Sequence, residues 1–203
     1  MIAPAAAVPL TIVLSFLIGS IPFGYLIGRF VYRTDIRKHG SGNIGAMNAL
    51  RTLGKPGAVA VLLLDAAKGV IPVLAALHTF SDAAALASIA GASAVLGHCF
   101  SPWLNWKGGK GVATAVGATF ALSWPAGLVV VAAWIVGALL LTRYSSVGSM
   151  LASVTAPFAL FFFTREPAPA LLGCFLTVLI LWTHRENLER LRRGTEGPIR
   201  LFR

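Results

Sequence analysis

The residues best equipped for chemistry fall in three short stretches set between long apolar runs. The first is Ser41-Gly42-Asn43-Ile44-Gly45-Ala46-Met47-Asn48-Ala49-Leu50-Arg51, which combines glycines, side-chain amides and a guanidinium. If Ser41 caps a short helix, Asn43, Met47 and Arg51 share one face. Backbone N–H groups near Gly42 and Gly45, the amides of Asn43 and Asn48, and the Arg51 fork then suit the oxygens of a phosphate. The second stretch, Trp106-Lys107-Gly108-Gly109-Lys110-Gly111-Val112-Ala113-Thr114, sets two lysines among three glycines at the entrance to an apolar run. Glycine permits the positive-φ turns that gather N–H groups into one concavity, and the helix that follows adds its positive end. The third, from His184 through Asn187 to Glu196, puts His184 and Asn187 on one face just beyond the last apolar run. Plainer readings exist for each: a capped polar loop, a lysine-flanked helix start and an interfacial amphipathic helix.

Look-alike motifs fail on context. Gly40-Ser41-Gly42-Asn43-Ile44-Gly45 matches the dinucleotide pattern, with Asp65 at the usual distance, but no strand precedes it and Asp65 lies inside an apolar run. Lys110 is followed by Gly111 where a Walker loop needs Ser or Thr. His184 and Glu189 have the spacing of an HxxxxD acyltransferase motif with the longer acid, and Glu189 reads better as a solvated partner of Arg185 or Arg193. No HExxH or Cys/His cluster calls for a metal, and Cys99 and Cys174 read as packing residues.

The elements that must position these groups are membrane spans. The chain is 57% hydrophobic and 12% charged, with a mean hydropathy of +0.79, about half the charged fraction of a soluble domain. Its 17 Lys and Arg against 7 Asp and Glu lie in short segments between apolar runs rather than on a solvated face, which excludes a nucleic-acid binder. Runs near 5–28, 57–78, 83–101, 110–123, 126–142, 147–164 and 169–184 predict an all-α polytopic protein of about seven transmembrane helices. The absence of charge before Arg29 makes the first run a retained span rather than a cleaved signal. Seven spans put almost every cation on one side, leaving Asp82, Arg165 and Glu166 on the other. The positive-inside rule then places the N-terminus outside and the C-terminus in the cytoplasm. The fourth run is short and is either a span that starts below the interface or a re-entrant segment. Asp65 and Lys68, three residues apart inside the second span, are either a buried structural pair or a contact to substrate. His98, near the inner end of the third span, reads as supporting the site.

Taken together, the three stretches resemble the bacterial membrane family of acyl-phosphate:glycerol-3-phosphate acyltransferases, the PlsY type. The likeness rests on Ser41 to Asn48 with Arg51, on Lys107 to Thr114, and on His184, Asn187, Arg190, Leu191, Gly194 and Glu196. Gly19 to Gly24, Asp65 with Lys68-Gly69, and Gly97-His98 add to it, and it covers nearly the whole chain as a single membrane-embedded domain over 1–203. The chain departs at Met47, where the family usually has threonine, and Met47 is left out of the site.

The resemblance implies transfer of a fatty acyl group from acyl phosphate to the 1-hydroxyl of sn-glycerol 3-phosphate, giving lysophosphatidic acid and phosphate at the cytoplasmic side of the bacterial inner membrane. Acyl phosphate is already activated, so no cofactor is expected. The expected partners are the two substrates and membrane lipid, with a contact to the upstream enzyme that makes the acyl phosphate. Ser41, Arg51, Lys107, His184 and Asn187 are expected to be catalytic. Gly42, Asn43, Gly45, Asn48, Gly108, Gly109, Lys110 and Gly111 are expected to bind phosphate, with Asp65, Lys68 and His98 behind them. The base is either His184 or an oxygen of a substrate phosphate. The competing reading is a transporter of a phosphorylated or anionic solute, whose broken helices should meet at midplane.

Overall fold

A computed structural model describes residues 4–80 and 83–199. Asp82, Arg200 and Arg203 lie outside them. Every regular element among the described residues is helical: α1 (Pro4–Ser20), α2 (Phe23–Leu26, running into a π turn over Ile27–Val31), α3 (Ala46–Thr52), α4 (Gly54–Thr79), α5 (Ala83–Cys99), α6 (Val112–Leu122), α7 (Trp124–Ile135, running into a π turn over Val136–Leu141), α8 (Ser145–Thr164), α9 (Pro167–Thr183) and α10 (Arg185–Arg192).

The distribution of side chains is that of a protein dissolved in lipid. Large apolar residues such as Leu63, Leu140, Phe158 and Val178 are exposed on the outer faces, while the interior is rich in Ala, Gly and Ser. Small residues let helix axes approach closely where lipid offers no hydrophobic drive to associate. A Cβ on Gly69 would stand 2.0 Å from the Thr114 carbonyl oxygen, so α4 can touch α6 there only as glycine. The short α6 is the hub of the bundle, packed against α4, α5, α7, α8 and α9.

One expectation is corrected in detail. The first apolar run is not one unbroken helix: α1 ends at Ser20 and α2 begins at Phe23. Pro22 has no N–H and disfavours helix at the residue before it. The expected count is about seven. Five helices, the first taken across its break as Val8–Val31, are long and apolar enough to cross a membrane, and α9 with α10, bent by 54°, is a sixth if taken as one. The seventh expected span is α6, whose 11 residues rise only about 17 Å. α10 carries Arg185, Arg190 and Arg192 on a helix bent by 54° from α9.

Candidate active site

The first stretch is a tightly tied loop. Gly40 and Gly42 adopt positive φ (+60° and +70°), and the Asn48 side chain, 2% exposed, fastens the turn they make. Its Oδ1 accepts from the Ser41 N–H at 2.8 Å, and its Nδ2 donates to the carbonyls of Ile36 (2.8 Å) and Asn43 (2.7 Å). Asn43 Oδ1 accepts from the Gly45 N–H at 2.8 Å. Ser41 therefore caps no helix; α3 starts after Gly45, which has extended backbone. Both donors of Asn48 are used within the loop, so this residue positions the site rather than contributing a free amide. Arg51, in the last turn of α3, lines the cavity that opens beside it and donates to the Gly197 carbonyl at 3.3 Å.

The second stretch turns only one of its lysines inward. The Gly108 and Gly109 N–H groups donate to the Cys99 and His98 carbonyls at the end of α5 (3.0 and 2.9 Å), so they are not offered to an anion as the glycine spacing implied. A Cβ on Gly109 would meet His98 Nε2 at 2.0 Å, which explains a glycine there. Pinned in this way, the loop leaves Lys107 exposed and outside the cavity, together with Gly108 and Gly109, while Lys110 and Gly111 line it. Gly42 also lies outside the lining. Gly111, at φ +83°, starts α6, whose positive end opens at this point.

The third stretch closes the site. His184 occupies the bend between α9 and α10, and its Nδ1 lies 2.8 Å from the Ile180 carbonyl. A carbonyl only accepts, so Nδ1 carries the hydrogen and Nε2 keeps a lone pair. Asn187 Oδ1 accepts from Lys110 Nζ, and Asn187 Nδ2 donates to Glu196 Oε1 at 2.6 Å. Glu196 also accepts from Arg190 Nε at 2.7 Å and from the Ser146 hydroxyl at 2.9 Å. One chain of hydrogen bonds thus joins Lys110 through Asn187 and Glu196 to Arg190 and to α8. Of these, Arg190 and Glu196 carried the family likeness without being placed among the site residues. Ser146 gave no signal at all, being one serine in a short connection.

The electrostatics follow from burial and proximity. Burial, reinforced by the Arg190 charge, lowers the Lys110 pKa to about 8. Burial and the neighbouring Lys110 lower that of His184 to about 4, so the ring is neutral near pH 7. Burial pushes the Glu196 carboxyl up, but the donors Asn187, Arg190 and Ser146 outweigh it and hold the group ionised. No cluster of three or more His, Cys, Asp or Glu suited to a metal forms among the described residues.

These groups surround one end of a cavity of about 1070 Å³, whose other end is walled by apolar residues of α4, α6 and α7. Ser41, Asn43, Gly45 and Asn48 line it beside Arg51, and so does Met47. Asp65 and His98 reach its wall from below, whereas Lys68 stays behind them. Lys68 Nζ lies 2.9 Å from Asp65 Oδ1 and donates to the Ile21 carbonyl at 2.8 Å, at the break between α1 and α2. Asp65 Oδ1 is 3.6 Å from His98 Nδ1. A cationic, hydrogen-bonding mouth on an apolar slot is the shape of a site for an amphiphile with an anionic head.

Comparison with known proteins agrees with this geometry. The family pattern described as glycerol-3-phosphate acyltransferase matches residues 9–194. The glycerol-3-phosphate acyltransferase of Brucella anthropi is 46% identical over 188 residues, 93% of this chain and 91% of that protein. That of Rhodopseudomonas palustris is 47% identical over 189 residues, 93% and 94% of the two chains. The crystal structure of PlsY, an integral membrane glycerol 3-phosphate acyltransferase, in its glycerol 3-phosphate form superposes with a TM-score of 0.88 at 36% identity, covering 95% of this chain and 96% of that one. Its lysophosphatidic acid form gives 0.86 at 35% identity, covering 95% of both. With a pattern that runs from α1 to the end of α10 and the same helical frame beneath it, this integral membrane chain belongs to the glycerol-3-phosphate acyltransferase family.

Proposed function

We propose that the chain moves a fatty acyl group from acyl phosphate to the 1-hydroxyl of sn-glycerol 3-phosphate, releasing lysophosphatidic acid and phosphate. The observation that carries this reading is the two-ended cavity: Arg51, Lys110, Arg190, His184 and Asn187 converge at a mouth continuous with an apolar slot. The hydroxyl oxygen attacks the acyl carbonyl carbon, the new ester C–O bond forms, the C–O bond to phosphate breaks with its electron pair leaving on phosphate, and a phosphate oxygen takes the hydroxyl proton. Charge grows on the carbonyl oxygen and then on the leaving group, where Lys110, Arg51 and the positive end of α6 oppose it. The mouth lies at the end of the bundle that carries the cation-rich segments, which favours a cytoplasmic-facing site in the bacterial inner membrane with the N-terminus outside. The donor then reaches the slot from the bilayer, delivered by the enzyme that forms it. Purified protein in detergent, given palmitoyl phosphate and labelled glycerol 3-phosphate, should yield labelled lysophosphatidic acid in the lipid extract. No labelled lipid would overturn the reading, and uptake into vesicles without acylation would favour a transporter instead.

His184 orients the hydroxyl through Nε2 rather than keeping its proton. With a pKa near 4, the ring holds a proton less readily than the departing phosphate, whose second pKa is about 6. His184→Asn should therefore keep turnover within about tenfold of the parent, while His184→Ala, with no acceptor, should lose about 10²-fold. Equal losses in the two variants would make His184 the base.

Glu196 holds three donors in register, and its charge decides which groups can face it. Glu196→Gln keeps the shape but turns one acceptor into a donor opposite Asn187, Ser146 or Arg190. We expect kcat to fall about tenfold, the cost of roughly one charged hydrogen bond, with KM for glycerol 3-phosphate rising. An unchanged rate in the acylation assay would show that Glu196 does not position Asn187.

A further inference from the structure

The apolar slot has a definite floor. Its outermost lining residues are Val70 on α4, Phe120 on α6 and Val131 on α7. Of the lining residues on α6, Phe120 lies farthest along the helix from the mouth. From Val112 at the mouth to Phe120, eight residues further along α6, the helix rises about 12 Å. At that level Phe120 bridges α6 and α7. A Cβ on Gly127 would meet Phe120 Cγ at 2.4 Å and both Cδ atoms at 2.6 Å, so the ring lies flat against the glycine with no slack. Gly127 itself is buried and does not line the slot, which puts the Phe120 ring between it and the open space.

We propose that Phe120, seated on Gly127, forms the floor of the acyl slot and sets the chain length the enzyme accepts; this rests on the slot holding the acyl chain of the donor. The lever is the hydrophobic effect. Each methylene taken from water into the slot strengthens binding about fourfold, and one that meets the ring gains nothing or clashes. The two residues act in opposite directions. Removing the ring extends the slot toward the far end of the bundle. Adding a methyl at 127 leaves the ring no place but inward, toward the acyl chain, and shortens the slot.

The test is a series of saturated acyl phosphates from 12 to 18 carbons, assayed on purified protein with labelled glycerol 3-phosphate. Phe120→Ala should shift the kcat/KM optimum to longer chains and raise the ratio of the longest to the shortest donor at least fivefold, and Phe120→Leu should shift it the same way by less. Gly127→Ala should move the ratio the other way by a similar factor. KM for glycerol 3-phosphate should stay unchanged in all three, because the mouth is untouched. A ratio that stays at the parent value, or that moves in the same direction in Phe120→Ala and Gly127→Ala, overturns the assignment. Failure of the parent protein to acylate at any chain length would instead overturn the reading of the slot as a donor site, so the two failures are distinct.

Discussion

Lys110→Ala should abolish acyl transfer, lowering kcat/KM by about 10³-fold, at the upper end of what removing one preorganised stabilising donor costs. Lys110 is the lysine of its loop that lines the cavity, and its Nζ is held by Asn187 while its burial removes the water that would screen it. Lys107→Ala, three residues away and exposed, should cost less than threefold. The same lysine fixes the alkaline limb of the pH profile. In the free enzyme its pKa is lowered to about 8, so it is charged below that pH and loses its proton above it. On the proposal that the charged form opposes the phosphate, kcat/KM should level off below pH 8 and fall tenfold per unit above it. The groups that face Lys110 are Arg190, Glu196, Glu186, Arg51 and His184. Of these, Glu196 is already ionised, and the His184 ring is already neutral, across that range. Lys110→Arg keeps its charge to high pH, so whatever activity it retains should show no limb near 8. A limb that persists in Lys110→Arg would assign it to another group.

The contrast between Lys107 and Lys110 shows how far sequence reading reaches. Both lysines flank the same glycines, and nothing in their spacing tells which one turns inward. The choice is made by Gly108 and Gly109 pairing with the last carbonyls of α5, a contact between segments that are neighbours only after folding. Ser41 misleads in a related way. Serine before a run of helix formers reads as a cap, but Asn48 reaches back to Ile36 and Asn43 and locks Ser41 into a turn. What was legible is what depends on local periodicity and on lipid as solvent: the apolar runs, the amphipathic end at Arg185–Arg192 and the three polar segments. The break at Pro22 was missed, because hydropathy alone carries the first run straight through it. Ser146 and Phe120 carry no signal in the sequence, because their roles come from α8 meeting the tail and α6 meeting α7.

The buried pair Asp65 and Lys68 carries the second large effect, and the structure favours a framework role for it. Both side chains are 2% exposed inside α4, and the lysine spends itself on Asp65 and on the Ile21 carbonyl, clamping α4 to the break below α1. Asp65→Ala leaves an ammonium buried without its counter-ion, which should destabilise the protein by about 3–5 kcal/mol. For a chain of this size that corresponds to a fall in Tm of roughly 6–20 °C, measurable in detergent. Asp65→Ala combined with Lys68→Met removes both charges at similar volume and should recover most of that loss. A double variant as unstable as the single would show that the carboxylate, not the balance of charge, holds α4 in place. Turnover separates the remaining role. Asp65 also stands 3.6 Å from His98, whose carbonyl ties down Gly109 and whose ring packs against it. The double variant should therefore regain its fold but stay about tenfold slower, because the support of the loop that aims Lys110 passes through His98. Full recovery of turnover with the fold would confine the pair to packing and leave the loop to stand on its backbone hydrogen bonds alone.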